Sequence, residues 1–176
     1  MESEFDIAIV GMAGRFPGAG NLEEFWRNLV GGVESITAFT KEELLAEGVP
    51  AALLSRPDYV TASPVLEAPD LFDATFFGFA PREASTMDPQ HRLILELAHA
   101  ALEDAGCDPD RFSGQIGVFA GSAMNTYFSR SGLNERLTED YIPTLIHNDK
   151  DFLSTRISYK LGLQGPSLTV QTACST

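Results

Sequence analysis

Apolar and polar positions along residues 88–106, DPQHRLILELAHAALEDAG, repeat with a helical period, and Ile94, Leu97, Ala98, Ala101, Leu102 and Ala105 fall on one face. Asp88 can cap the first turn, and Pro89 suits the first helical position, where a missing N–H removes nothing. Gly106 supplies the left-handed residue that ends such a helix. The spacing therefore predicts a helix from Asp88 to Gly106. An earlier one is predicted from Asn21, with Glu24 three residues on as a capping box and Leu22, Phe25, Trp26 and Leu29 at helical spacing before Gly31. A short helix is expected near Lys41 to Ala46, within a loop-rich excursion from about Ser35 to Arg82. Another is expected from Asn148 or Asp149 to about Lys160, ended by Gly162.

Three segments read as strands. Phe5 to Gly11, FDIAIVG, is a β-branched run closed by glycine and is expected at the centre of a sheet. Gln115 to Gly121 and Ser167 to Ala173 are the others. Strands alternating with helices predict an α/β fold with a largely parallel sheet between helices. No internal repeat or low-complexity linker interrupts the chain.

Composition narrows the partners. The 176 residues carry 25 acidic and 12 basic side chains, a formal charge of −13, which opposes binding to a phosphate backbone or an anionic membrane. The apolar fraction of 44% is that of a globular protein. Two cysteines, Cys107 and Cys174, make no disulfide framework, and the start MESEFD has neither the basic nor the apolar region of a secretion signal. No apolar run approaches the roughly 20 residues of a membrane-spanning helix. These features point to a cytoplasmic protein with neither nucleic acid nor membrane as partner.

The glycines of GMAGRFPGAG lack the spacing of a dinucleotide loop, because Gly11 and Gly14 are three apart, and no Gly-Lys pair offers a phosphate loop. They read as turn formers. His91, His99 and His147 match no metal-ligand spacing and are expected to be packing or surface residues. Cys107, beside Asp108 and Pro109, reads as an ordinary half-buried or surface thiol.

Cys174 has a different context. A lone cysteine in an apolar strand is usually a small hydrophobe. Here Leu168, Val170 and Thr172 alternate down a strand, and Cys174 arrives at its carboxyl end between Ala173 and Ser175. Sites in open α/β sheets form at the carboxyl ends of strands. A strand-to-helix turn would hold the sulfur at a helix N-terminus, as in the nucleophile elbow. A helix end favours an anion by about 0.3–1 kcal/mol, up to ~2 when partly buried. Activation of a thiol therefore also needs a base or backbone donors.

The segments AIVGMAGRFPGA (Ala8 to Ala19), FDATFFGFAPREA (Phe72 to Ala84), MDPQHRL (Met87 to Leu93), LEDAG (Leu102 to Gly106), GVFAG (Gly117 to Gly121) and RISYKLGLQGPSLTVQTACST (Arg156 to Thr176) together resemble the β-ketoacyl synthase (ketosynthase) domains of modular polyketide synthases. The resemblance runs from end to end and implies a thiolase-like, layered α/β/α/β/α fold, of which residues 1–176 are the N-terminal part and the remainder of the domain is absent. It places Cys174 at the acyl-accepting nucleophile, with its backbone N–H in the oxyanion hole. It further implies a homodimer, an acyl carrier protein as partner, substrates carried on phosphopantetheine and no tightly bound cofactor. The implied reaction moves an acyl chain onto Cys174, and a malonyl-type thioester then loses CO₂ and attacks it. The family's two catalytic histidines lie in the C-terminal part, and His91, His99 and His147 do not match them. Gln171 stands where many members carry Asp, and His99-Ala100 where a Trp-Glu pair is common. The alternatives are a non-elongating, acyl-transferring ketosynthase and a non-catalytic half-domain serving dimer and carrier-protein contacts. Arg82, Arg92, Arg156 and Lys160 are candidates for a basic docking patch.

Overall fold

In a computed structural model the chain is described over residues 6–130 and 141–175. It divides into two compact units, Gly14–Ala68 and Met1–Ala13 with Pro69–Thr176.

In the smaller unit α1 spans Leu22–Gly31, and the Asn21 side chain accepts from Glu24 N as predicted. The Glu24 carboxylate reaches Gly20 N at 2.8 Å, one residue before the position a capping box would use. The helix runs through Gly31, its predicted end, and closes on Gly32 (φ 63°), a left-handed position that glycine takes without Cβ strain. Strand β1 (Ile36–Ala38) pairs antiparallel with β2 (Ala62–Pro64), and between them lie α2 (Lys41–Ala46), at its predicted bounds, and α3 (Ala51–Leu54). Thr40 and Glu43 form a reciprocal capping box on α2.

The larger unit holds the longest helix. After α4 (Pro81–Thr86), α5 runs Pro89–Asp104, capped by Asp88, whose carboxylate accepts from Gln90 N at 2.8 Å. Gly106 follows with φ 62°. Its predicted apolar face divides between two neighbours. Ile94, Ala98 and Leu102 join the core built on Phe77, Phe79, Met87, Leu95, Ile157 and Leu163. Ala101 and Ala105 instead accommodate the backbone of Gly11, where an added Cβ would lie 2.5 Å from Ala101 O and 2.8 Å from Ala105 Cβ. The deepest residues of α5 are His91, Arg92 and Leu95.

Strand β3 (Val118–Ala120) pairs in parallel with β4 (Ser167–Thr169), with Phe119 opposite Leu168. Between them come α6 (Tyr127–Arg130), α7 (Tyr141–Asn148), a 3-10 turn over Lys150–Phe152 and α8 (Leu153–Lys160). Asp149 caps that turn by accepting from Asp151 N, so the predicted start opens a 3-10 turn and α8 itself begins at Leu153 without a side-chain cap, while Gly162 (φ 67°) follows α8 as predicted. Helix α8 lies against both strands and α5. Hydroxyl pairs fasten it to β4: Ser154 with Thr169 at 2.8 Å and Ser158 with Ser167 at 3.1 Å.

The strand predictions need correction. Residues 6–15 form no ladder, Ile7 and Ile9 are 96% and 80% exposed, and Phe5 lies outside the described residues. A β-branched run favours extended backbone, but a strand exists only where a second one takes its backbone bonds, and none of the described residues does so here. The other two strands form ladders of three residues each, shorter than predicted, for the same reason.

Candidate functional site

The chain leaves β4 at Val170, whose N–H still donates to Ala120 O at 2.8 Å. It then bends sharply. Ala173 takes φ 55°, one of two non-glycine residues among those described with positive φ, and a single 3-10 turn covers Ala173–Ser175, closed by Ser175 N donating to Thr172 O at 3.2 Å. A left-handed alanine stores strain of order 1–3 kcal/mol and is the kind of backbone found at functional turns. Cys174 sits on this turn with its side chain exposed and free of any disulfide. A tight turn thus stands at the predicted place, in the form of a 3-10 turn.

Cys174 opens into a cavity of about 860 Å³. Ser122, Met124, Asn125, Phe128, Leu145 and Asn148 contribute to its walls, together with Asp88, Asp149, Lys150, Gln171 and Ala173. The volume lies within the roughly 300–1,000 Å³ of small-molecule sites. A second hollow, of about 730 Å³ between Phe76, His99, Cys107 and Tyr159, has a thiol too, but Cys107 there follows the end of α5 and not a strand.

Side-chain amides organise the cavity walls. Asn148 is buried and uses both of its donors: its Nδ2 donates to Thr86 O (2.7 Å) and Thr144 O (2.8 Å), and its Oδ1 accepts from Asn125 Nδ2 (3.1 Å). Asn125 Nδ2 also donates to Asn148 O at 2.8 Å, and Asn125 Oδ1 accepts from Phe128 N. Asp88 is buried, so its carboxyl is held above the usual value, although Gln90 and Arg92 pull it back. In the sequence Asp88 signals a helix start and nothing more, and Gln90 carries no signal of its own. The place of Asp88 in the cavity wall, and the bond from Ala123 N to Gln90 beside it, are made by contacts between distant segments and have no local signal.

The histidines go where packing takes them. His91 is 1% exposed; burial first, then the Arg156 charge, pushes it down to about 4, with Asp149 opposing. His147 is lowered for the same two reasons and holds Glu83 at 3.1 Å through Nε2. His99 packs edge-on against Phe76 and pairs with Glu103 at 3.3 Å. None of the three lines the Cys174 cavity. The basic docking patch needs correction. Arg92 is buried and donates to Asp70 O; Arg156 is half-buried, donates to Ile146 O, and is lowered to about 10 by burial. Lys160 lies over the Phe79 ring at 3.7 Å while donating to Gly78 O. Of the four candidates only Arg82 is exposed. Long cationic side chains are drawn inward here because backbone carbonyls and an aromatic face supply partners.

Among the described residues no helix is long and apolar enough to cross a membrane, and no group of His, Cys, Asp or Glu could hold a metal ion.

Residues 4–176 match the β-ketoacyl synthase N-terminal domain. A phenolphthiocerol/phthiocerol polyketide synthase component of Mycobacterium tuberculosis is 49% identical over 179 residues, which cover 97% of this chain and 12% of that protein. Polyketide synthase PksN of Bacillus subtilis is 41% identical over 97% of this chain and 3% of its own length. Among solved structures, ketosynthase twelve of the bacillaene polyketide synthase of Bacillus amyloliquefaciens superposes with a TM-score of 0.82 at 41% identity, covering 96% of this chain and 29% of that one. The OzmH KS7 ketosynthase domain of Streptomyces albus superposes with a TM-score of 0.74 at 30% identity, covering 93% and 28%. The chain thus spans less than a third of each of these relatives.

Proposed function

Because this chain belongs to the β-ketoacyl synthase family, with its thiolase-like fold, we propose that it is the N-terminal part of a polyketide-synthase ketosynthase domain and that Cys174 is the acyl-accepting nucleophile. One observation carries the proposal: an exposed thiol on a strained turn at the carboxyl end of a parallel strand, facing a cavity of about 860 Å³.

Chemistry follows from that placement. The Cys174 thiol gives up its proton and the sulfur attacks the carbonyl carbon of an acyl thioester; a tetrahedral oxyanion forms and collapses, and the carrier's phosphopantetheine sulfur leaves, taking up a proton in place of the one Cys174 released. The Cys174 N–H is one donor to that oxyanion; a second comes from the C-terminal part of the domain. A malonyl-type thioester then loses CO₂, its enolate carbon attacks the acyl-cysteine, and the Cys174 sulfur departs. The product is a β-ketoacyl thioester two carbons longer. Histidines of the C-terminal part promote decarboxylation; in this chain the histidines are engaged in packing. The partners proposed are an acyl carrier protein and a second copy of the whole domain. With a net charge of −13, an acidic carrier has to meet a local basic surface, to which Arg82 contributes.

The test uses the protein carrying this chain together with the C-terminal part of its domain. Incubation with a short acyl thioester and malonyl-loaded carrier protein is expected to release CO₂ and give the two-carbon-longer β-keto product on the carrier. Acylation of the protein without any elongated product would replace condensation by the non-elongating reading, and no acylation at all would leave the half-domain as an interaction module.

A further inference from the structure

The cavity segment that follows β3 is gripped by two glutamines from different elements. Gln171, just past β4, faces the main chain of Ser122. In the amide orientation that satisfies both groups, its Nε2 donates to Ser122 O at 2.9 Å and its Oε1 accepts from Ser122 N at 3.2 Å. Gln90, in the first turn of α5, faces the next residue. Its Oε1 accepts from Ala123 N at 2.8 Å, and its Nε2 donates to Ala123 O at 3.5 Å and to Asp88 Oδ2 at 3.2 Å. Successive residues are therefore each held at both N–H and C=O by a side-chain amide.

A carboxamide has the donor and acceptor geometry of a peptide group. Beyond the bond from Val170 N to Ala120 O the two chains part, and Gln171 replaces the next rung of the ladder with its side chain. Gln90 closes the segment from the helix side. Met124 and Asn125, which line the Cys174 cavity, come directly after the gripped pair. Met124 is 84% exposed, so packing does little to place it. What fixes its backbone is the pair of amides before it and the Asn125–Asn148 bond after it.

We propose that Gln171 and Gln90 are positioning residues, acting through Ser122 and Ala123, that set the shape of the Cys174 cavity and thereby the admission of the acyl chain. The proposal rests on the reading of Cys174 as an acyl acceptor. The two residues do not act on the sulfur itself, so they govern how much acyl thioester is needed and not how fast bound substrate reacts.

Two measurements on the protein with its complete domain test this. The first, hydrogen exchange of the Ser122 and Ala123 amides, does not depend on activity. Q171L is expected to speed exchange at Ser122 about tenfold, because a lost hydrogen-bonded pair frees the amide. Q90L is expected to do the same at Ala123. Unchanged protection at both sites would overturn the clamp. The second is the concentration dependence of acyl thioester transfer. Q171L is expected to raise the half-saturating concentration about tenfold with the maximal rate changed less than about twofold, a split that general loss of folded protein does not give. Q171E, which keeps the acceptor for Ser122 N–H and loses the donor to Ser122 O, is expected to fall between. A lowered maximal rate at unchanged half-saturation would overturn the positioning role. If the unsubstituted protein took up no acyl group, the reading of Cys174 would fail, while the exchange data would still decide the clamp.

Discussion

Cys174→Ala is expected to lower acyl uptake by three orders of magnitude or more, the scale on which loss of a catalytic nucleophile is felt. The substitution removes the only atom proposed to form the covalent bond, and the neighbouring groups cannot replace it. Ser175 offers a hydroxyl one residue on, but an unactivated hydroxyl is a far weaker nucleophile than a thiol. Because the Cys174 side chain is exposed on its turn, its removal creates no cavity, and stability should change by no more than about 0.5 kcal/mol. Single-turnover transfer from a labelled acyl thioester, read alongside thermal unfolding of the same variant, separates lost chemistry from lost fold. Cys107→Ala, which alters a different hollow, should leave transfer intact. Transfer that survives Cys174→Ala and vanishes in Cys107→Ala would assign the chemistry to the wrong end of the domain for this account.

The second large effect is on stability in acid. His91 is buried neutral, lowered to about 4 by desolvation and by Arg156 and His147, against Asp149. In the unfolded chain it takes a proton near its ordinary value of 6.5. Between those two values the unfolded state binds a proton that the folded state refuses, so stability falls as pH drops from 6.5 and the loss is complete below about 4. At 1.36 kcal/mol per unit the change is about 3 kcal/mol. His147, also lowered, adds in the same direction. Asp88, raised by burial, opposes both at the lowest pH, because its folded form accepts a proton more readily than its unfolded form. Urea unfolding at pH 7 and pH 4.5 should show the acid loss in the unsubstituted protein and a clearly smaller one in His91→Gln, whatever that variant's stability at pH 7. An equal acid loss in the two proteins would remove His91 from the explanation.

Legibility of the sequence follows the range of the interactions. Helix α5 is readable because Asp88, Pro89 and Gly106 act within a turn of themselves, and α2 because Thr40 and Glu43 cap it locally. The strands are less readable, because Ile7, Ile9 and Val10 form a β-branched run yet find no ladder among the described residues, and a run of strand-forming residues carries no information about partners. Helix α7 is not among the expected elements. Pro143, in its first turn, reads as a break in a short apolar run, although proline is tolerated there. At the site, Cys174 is legible from its place after a strand. Gln90 is not, since the residue it reaches, Ala123, lies 33 positions on and nothing near Gln90 in sequence marks that contact. Two of the four cationic candidates fail for the converse reason: charge is visible in sequence, but the carbonyls of Asp70 and Ile146 that draw Arg92 and Arg156 inward are not.

The central claim is that Cys174 accepts the acyl chain. Its most direct test is the mass of the denatured protein before and after incubation with a short acyl thioester, followed by mapping of the modified peptide. The account predicts a gain of one acyl group per chain, carried on the peptide that contains Cys174. A protein that gains no mass, or one that gains it on any other residue, contradicts it.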